Sequence, residues 1–64
     1  MKFKIASDTN MVNACVRLEK AGYGFEADLG SNYITATEDL AEVKAIVEDE
    51  GGVECTKFNF QFTK

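Results

Sequence analysis

The spacing of apolar side chains switches along this chain between two periods, and the switches divide its 64 residues into six short segments. Phe3 and Ile5 alternate with lysines and a small residue, which is the two-residue period of a strand with one buried face. From Met11 to Ala21 the apolar residues recur three or four positions apart, as they do on one face of a helix. The two periods then return in the order strand, strand, helix, strand. The sequence therefore predicts the element order βαββαβ.

Polar residues and a glycine mark the ends of the first predicted helix. Ser7, Asp8 and Thr9 carry side-chain oxygens that can accept from the free N–H groups of a first helical turn. Gly22 can adopt the left-handed conformation that ends a helix. Between these ends the apolar residues form one stripe, with Val12 and Val16 on its flank. The stripe consists of Met11, Ala14, Cys15, Leu18 and Ala21.

A hairpin and a second helix are expected to follow. Alternation at 23–29 and again at 33–37 predicts two strands, and Gly30-Ser31-Asn32 between them is typical of a tight turn. Thr37 or Asp39 can cap the second helix, and Gly51-Gly52 can end it. Its apolar stripe consists of Leu40, Val43, Ile46 and Val47.

The last predicted strand, 53–64, changes phase along its length. Val53 and Cys55 occupy odd positions, whereas three phenylalanines occupy even ones: Phe58, Phe60 and Phe62. Because a slip of one residue turns every side chain to the other face, we expect a β-bulge near Thr56-Lys57. Two interpretations of the phenylalanines remain open. They belong to the core, or they project as an edge that pairs with another chain.

The predicted order resembles the split βαβ pattern of ferredoxin-like folds. The resemblance covers the whole chain as topology and implies a single α+β domain, 1–64. It is a small sandwich in which a four-stranded antiparallel sheet, of strand order 4-1-3-2, carries both helices on one face. We expect the other face to be open to solvent and to carry Lys2, Lys4, Glu26, Asp28, Tyr33, Thr35, Asn59 and Gln61. This topology hosts many activities and assigns no function by itself.

Composition argues against an enzyme. The chain has no histidine, which removes imidazole general bases and mixed cysteine–histidine zinc sites. Its two cysteines, Cys15 and Cys55, cannot form a four-cysteine site, so we expect no catalytic residues, metal or cofactor. No segment approaches the roughly 18 to 20 apolar residues that span a bilayer. We therefore expect a cytoplasmic protein that has no membrane partner.

Acidic residues are concentrated in one part of the chain. Residues 21–56 carry a net charge of −8, against +2 for residues 1–20 and +2 for residues 57–64. The candidate binding residues lie on the second helix and its ends: Glu38, Asp39, Glu42, Glu48, Asp49, Glu50 and Glu54. They form a solvated helix face, a surface for a basic partner, or a divalent cation site, although they lack EF-hand spacing. Glu48-Asp49-Glu50 is unexplained, because acids at a helix C-terminus oppose the dipole.

These observations favour a non-enzymatic protein-binding module that engages a basic protein surface through its acidic second helix. Small acidic inhibitors, including phage-type modulators of host or defence proteins, are of this kind, and their carboxylates can take the place of nucleic acid phosphates. An RNA-recognition role is disfavoured because only Tyr33 is placed to stack a base, so no direct nucleic acid partner is expected. The alternative is a dimeric regulatory domain that binds a small ligand and uses its sheet edges. Both a monomer and a homodimer fit the sequence.

Overall fold

The computed structural model describes residues 1–55, and these form six elements in the predicted order. The elements are β1 (Lys2–Lys4), α1 (Asp8–Ala21), β2 (Phe25–Asp28), β3 (Tyr33–Ala36), α2 (Ala41–Asp49) and β4 (Val53–Cys55). The strands form one open antiparallel sheet in the order β2-β3-β1-β4, so the predicted ferredoxin-like α+β layout is confirmed. Neither described helix has the length and apolar content that crossing a membrane requires.

The core lies between the sheet and both helices. Phe3 and Ile34 come from neighbouring central strands, and residues of α1 and α2 cover them from one side. Apolar burial of this kind is the main favourable contribution to folding. The buried residues are Phe3, Ile5, Met11, Ala14, Leu18, Ile34, Ala36, Val43 and Val47.

The pairing register assigns the polar strand residues to the other side of the sheet. Phe3 lies opposite Ile34, and Ile34 lies opposite Ala27, so these three side chains point towards the helices. Their sequence neighbours must point away, because side chains alternate along a strand. The predicted open face is thereby confirmed for its described residues: Lys2, Lys4, Glu26, Asp28, Tyr33 and Thr35.

Helix α1 begins and ends as predicted. The Ser7 hydroxyl accepts a hydrogen bond from the Asn10 N–H at 3.2 Å. Gly22 has φ +87° and donates its N–H to the carbonyl of Glu19, which satisfies one of the free carbonyls at the helix end. Ala21, at the end of the predicted stripe, is exposed.

The predicted cap of α2 is wrong. The residue before the helix is Leu40, which has no side-chain capping bond, whereas Thr37 and Asp39 lie further upstream. The Asp39 carboxylate instead pairs with the N-terminal ammonium at 2.6 Å. Leu40, expected in the apolar stripe, is 37% exposed. At the other end Gly51 adopts φ +86°, in agreement with the predicted glycine terminus.

The hairpin is shorter than predicted, because β2 ends at Asp28 and Leu29 lies in the turn with 61% of its surface exposed. Asp28 Oδ1 accepts from the N–H groups of Gly30 and Ser31, and Ser31 Oγ donates to Asp28 Oδ2 at 2.8 Å. Asn32 takes the positive φ of 61° that the turn requires. The side chain of Asp28 therefore holds the turn together.

Strand β4 directs its charged residue towards the helices. Glu54 lies opposite Phe3, while Val53 lies opposite Lys4 and is 68% exposed on the open face. The expected bulge near Thr56-Lys57 lies outside the described residues. The same is true of Phe58, Phe60, Phe62, Asn59 and Gln61.

Candidate functional site

The seven predicted carboxylates lie around α2, and we call them the acidic surface. Glu38 and Asp39 precede the helix and are exposed, as are Glu42 and Glu48 within it. The remaining members are at or just beyond the C-terminal end of the helix and on β4: Asp49, Glu50 and Glu54. The structure therefore places all seven on α2, on the segments that flank it or on the neighbouring strand β4.

A single arginine of α1 holds the C-terminal end of α2. Arg17 Nη1 donates to Asp49 Oδ2 at 2.8 Å and to Glu50 Oε2 at 2.9 Å. The hydrogen bond to Asp49, followed by the one to Glu50, raises the pKa of the guanidinium above its ordinary value. This positive charge offsets the unfavourable placement of acids beside the negative end of the helix dipole. It accounts for two of the three acids that the sequence left unexplained.

Sequence reasoning missed Arg17 as a partner, although a signal was present. Arg17 is 32 positions before Asp49, so no local pattern joins them. Arg17 nevertheless lies on α1 beside the buried stripe, and the predicted topology packs both helices on one face of the sheet. A lone arginine on the flank of one helix and an acidic run on the other are complementary.

Tyr23 contacts the middle of the acidic surface. Its hydroxyl donates to Glu42 Oε1 at 2.5 Å. This hydrogen bond is the largest cause of a raised pKa at Tyr23, with desolvation and the charge of Glu42 contributing in the same direction. Tyr23 follows the glycine that ends α1, so the contact fastens the α1–β2 connection to α2.

Two further carboxylates have internal partners, and two have none within residues 1–55. Besides the pair between Asp39 and the N-terminal ammonium, Lys44 Nζ lies 3.3 Å from Glu54 Oε1. By contrast, no ion pair or side-chain hydrogen bond joins Glu38 or Glu48 to another group in this part of the chain. These two are the carboxylates most available to an external partner.

The acidic surface keeps a negative charge after its internal pairs are counted. Three cationic groups contact its seven carboxylates within the described residues, namely Arg17, Lys44 and the N-terminal ammonium. Among residues 1–55, the carboxylates of the acidic surface therefore outnumber the cationic groups that contact them. Surfaces of one sign steer partners of the opposite sign and repel phosphates.

The open sheet face, unlike the acidic surface, carries charges of both signs. The sequence predicted which residues lie on it but not the contacts between them. The ammonium groups of Lys2 and Lys4 lie 4.6 and 4.7 Å from the centroid of the Tyr33 ring. Both are within the range of a cation–π contact. Glu26 and Asp28 share this face, so its two lysines are balanced by two carboxylates. The ring of Tyr33 is thus occupied by side chains of its own sheet.

Residues 1–55 give little support to metal binding, to a reactive thiol or to a small-ligand pocket. No group of three potential metal ligands occurs there. Burial, followed by the charge of Glu19, raises the pKa of the Cys15 thiol and disfavours its reactive thiolate form. The clefts beside Tyr23, under Tyr33 and beside Val12 have volumes of about 170, 200 and 230 Å³. Ligand pockets are usually about 300 to 1,000 Å³.

No protein-family model, curated protein or solved structure matches this chain.

Proposed function

We propose that this protein is a non-enzymatic binding module that recognises a basic protein surface through its acidic surface. The observation that supports the proposal is the concentration of seven carboxylates on and beside α2, which only three cationic groups contact among residues 1–55. Charge complementarity of this kind raises association rates and discriminates between partners.

The internal pairs also divide the surface into a supporting part and a contacting part. Arg17 holds Asp49 and Glu50, and a partner that displaced it would leave two acids against the helix dipole. Glu38 and Glu48 can bind without such a loss. We therefore propose that these two contact the partner directly. Asp49, which is 70% exposed, makes a smaller contribution because it is already paired with Arg17.

Inhibition is the activity that we propose for the module. A partner that normally binds nucleic acid presents lysines and arginines for phosphates, and carboxylates can occupy those positions. Binding then competes with nucleic acid and weakens steeply with salt. A partner whose affinity for this protein does not change when DNA or RNA is added would contradict the inhibitory part alone.

The test uses affinity capture from lysates of the source cells, followed by mass spectrometry. The wild-type protein is compared with a Glu38→Lys/Glu48→Lys double variant, the α2 variant, and with a Glu19→Lys/Glu26→Lys control variant. The control changes the net charge equally, at exposed positions on α1 and on the open sheet face. We expect one basic protein to be enriched by the wild type and by the control variant but not by the α2 variant. Loss of capture in the control variant, with retention in the α2 variant, would refute the proposed surface.

A further inference from the structure

A small cleft lies between the connection that follows α1 and the connection that precedes α2. We call it the Tyr23 cleft. Its volume of about 170 Å³ is below that of pockets for small-molecule ligands, which usually hold about 300 to 1,000 Å³. A space of this size suits one inserted side chain of a protein partner. Its lining includes Tyr23, Gly24, Thr37, Glu38, Leu40 and Val43.

The two connections that form the Tyr23 cleft are fastened to each other and to α2. The Thr37 N–H donates to the Gly24 carbonyl at 3.0 Å. A Cβ added at Gly24 would lie 2.9 Å from Thr37 Oγ1, so the two connections pass in close contact. The hydrogen bond from the Tyr23 hydroxyl to Glu42 ties the first connection to the helix. Because these contacts are made within the chain itself, little ordering of the walls is needed when the cleft is filled.

The lining of the cleft combines a carboxylate with apolar and aromatic surface. Glu38 is exposed, and no ion pair or side-chain hydrogen bond joins it to another group of residues 1–55. Leu40 is 37% exposed, and Tyr23 is half-buried. Long basic side chains pack their methylene stems on apolar surface while the charged end reaches a polar group. The cleft offers both parts of such a contact.

We propose that the Tyr23 cleft receives an arginine side chain of the basic protein partner, with the guanidinium on the Glu38 carboxylate and the stem on Leu40. The inference rests on the proposed function, because Glu38 belongs to the acidic surface. Arginine suits the cleft better than lysine for two reasons. Its planar guanidinium pairs with a carboxylate through two parallel hydrogen bonds, and it stacks on aromatic rings such as that of Tyr23. Arginine is also enriched among the residues that dominate binding at protein interfaces.

The first test needs no partner protein. The probe is arginine with an acetylated amino group and an amidated carboxyl group, added to the full chain and followed by NMR. The matching lysine derivative is the control at equal ionic strength. We expect saturable shifts of the backbone N–H signals of Tyr23, Gly24 and Glu38 with the arginine probe and weaker binding of the lysine probe. The absence of saturable shifts at these positions would overturn the proposal, as would equal binding of the two probes.

A matched pair of variants separates the cleft from the general charge of the acidic surface. Glu38→Gln and Glu48→Gln each remove one negative charge from an exposed position, but only Glu38 lines the cleft. Glu38→Gln should abolish the saturable shifts and weaken the captured partner by about tenfold or more. Glu48→Gln should keep the shifts and weaken the partner only about two- to threefold. Saturable shifts that persist in Glu38→Gln would overturn the proposal.

A second pair of variants tests the apolar wall at constant charge. Leu40→Ala should weaken the arginine probe and the partner by about threefold or more. Leu29→Ala, at the exposed leucine of the hairpin turn, should change neither affinity. Equal effects of the two substitutions would place the arginine elsewhere and overturn the proposal.

The outcomes distinguish the cleft from the proposed function. Equal losses of partner affinity in Glu38→Gln and Glu48→Gln would overturn the arginine cleft and leave the acidic surface in place. Undiminished capture of the partner by Glu38→Lys/Glu48→Lys would overturn the acidic surface itself, whatever the arginine probe does.

Discussion

At the scale of single residues, Asp28 shows how one side chain can organise a turn. Its hydrogen bond from the Ser31 hydroxyl, followed by bonds from backbone N–H groups, lowers the pKa of the carboxyl. Replacing Ser31→Ala removes the largest of these causes, so the pKa of Asp28 should move up towards its ordinary value. An NMR titration of the Asp28 carboxyl carbon measures this shift. A midpoint unchanged by Ser31→Ala would contradict the assigned cause.

The same lowered pKa predicts how stability depends on pH. Since the charged carboxylate is favoured in the folded state, its contribution is fully present above the unfolded pKa, about 3.9. It is lost as the pH falls through the lower, folded pKa. Asp28→Asn removes this titration. The melting temperature of the variant should therefore fall less steeply than that of the wild type as the pH drops below about 4. A variant that loses stability as steeply as the wild type in that range would argue against this role.

Gly51 and Gly52 follow α2, and a side chain is disfavoured at each of them for a different physical reason. A Cβ on Gly52 would clash with Val47 Cγ1 and lie 2.9 Å from the Val47 carbonyl oxygen, whereas at Gly51 the nearest atom is 3.7 Å away. Gly51 is constrained only by its φ of +86°. Gly52→Ala should cost about 3 kcal/mol by overpacking, against about 1 kcal/mol for Gly51→Ala. Urea denaturation compares the two, and the reverse order would be inconsistent with this packing.

At the scale of elements, α1 stabilises the fold through one buried stripe. Leu18 is fully buried, and Leu18→Ala should lower the free energy of unfolding by about 2 to 5 kcal/mol. Val16→Ala on the same helix is the control, because Val16 is 44% exposed and surface substitutions usually change stability by less than about 0.5 kcal/mol. Similar losses at both positions would contradict the assigned orientation of α1.

The pairing of α1 with α2 has an electrostatic part that salt should reveal. Arg17→Gln leaves Asp49 and Glu50 beside the helix C-terminus with no positive charge, so the melting temperature should fall by a few degrees at low ionic strength. The difference from wild type should shrink in high salt, because exposed charges are screened. Lys20→Gln, which removes a charge from α1 outside this contact, is the control. An equal effect of both substitutions at low salt would indicate that net charge alone is responsible.

The sequence predicted the elements better than the contacts between them. Periodicity and glycines were sufficient for the order βαββαβ, because local alternation determines which face is buried. The cap of α2 was mispredicted because Asp39 is bound by the chain's own N-terminus, 38 positions away. Arg17 and Tyr23 were missed as partners of the acids for the same reason. Such pairs depend on how helices and loops approach one another in three dimensions, which local patterns do not encode.

At the scale of the whole molecule, the acidic surface is separate from the core. Its seven carboxylates lie on or beside α2, and none of them belongs to the buried set. A charge change at the two carboxylates that have no internal partner within residues 1–55 should therefore leave the fold intact. In particular, Glu38→Lys/Glu48→Lys should not lower the free energy of unfolding in urea by more than about 0.5 kcal/mol per substitution, and a larger loss would contradict this separation.

The central claim is that carboxylates around α2 bind a basic protein partner. The most direct measurement is the affinity of the captured partner for three proteins: the wild type, Glu38→Lys/Glu48→Lys and the control Glu19→Lys/Glu26→Lys. The account predicts a loss of at least about tenfold for the α2 variant, which corresponds to about 1.4 kcal/mol, and a much smaller change for the control variant of equal net charge. Equal affinities for the wild type and the α2 variant would contradict it.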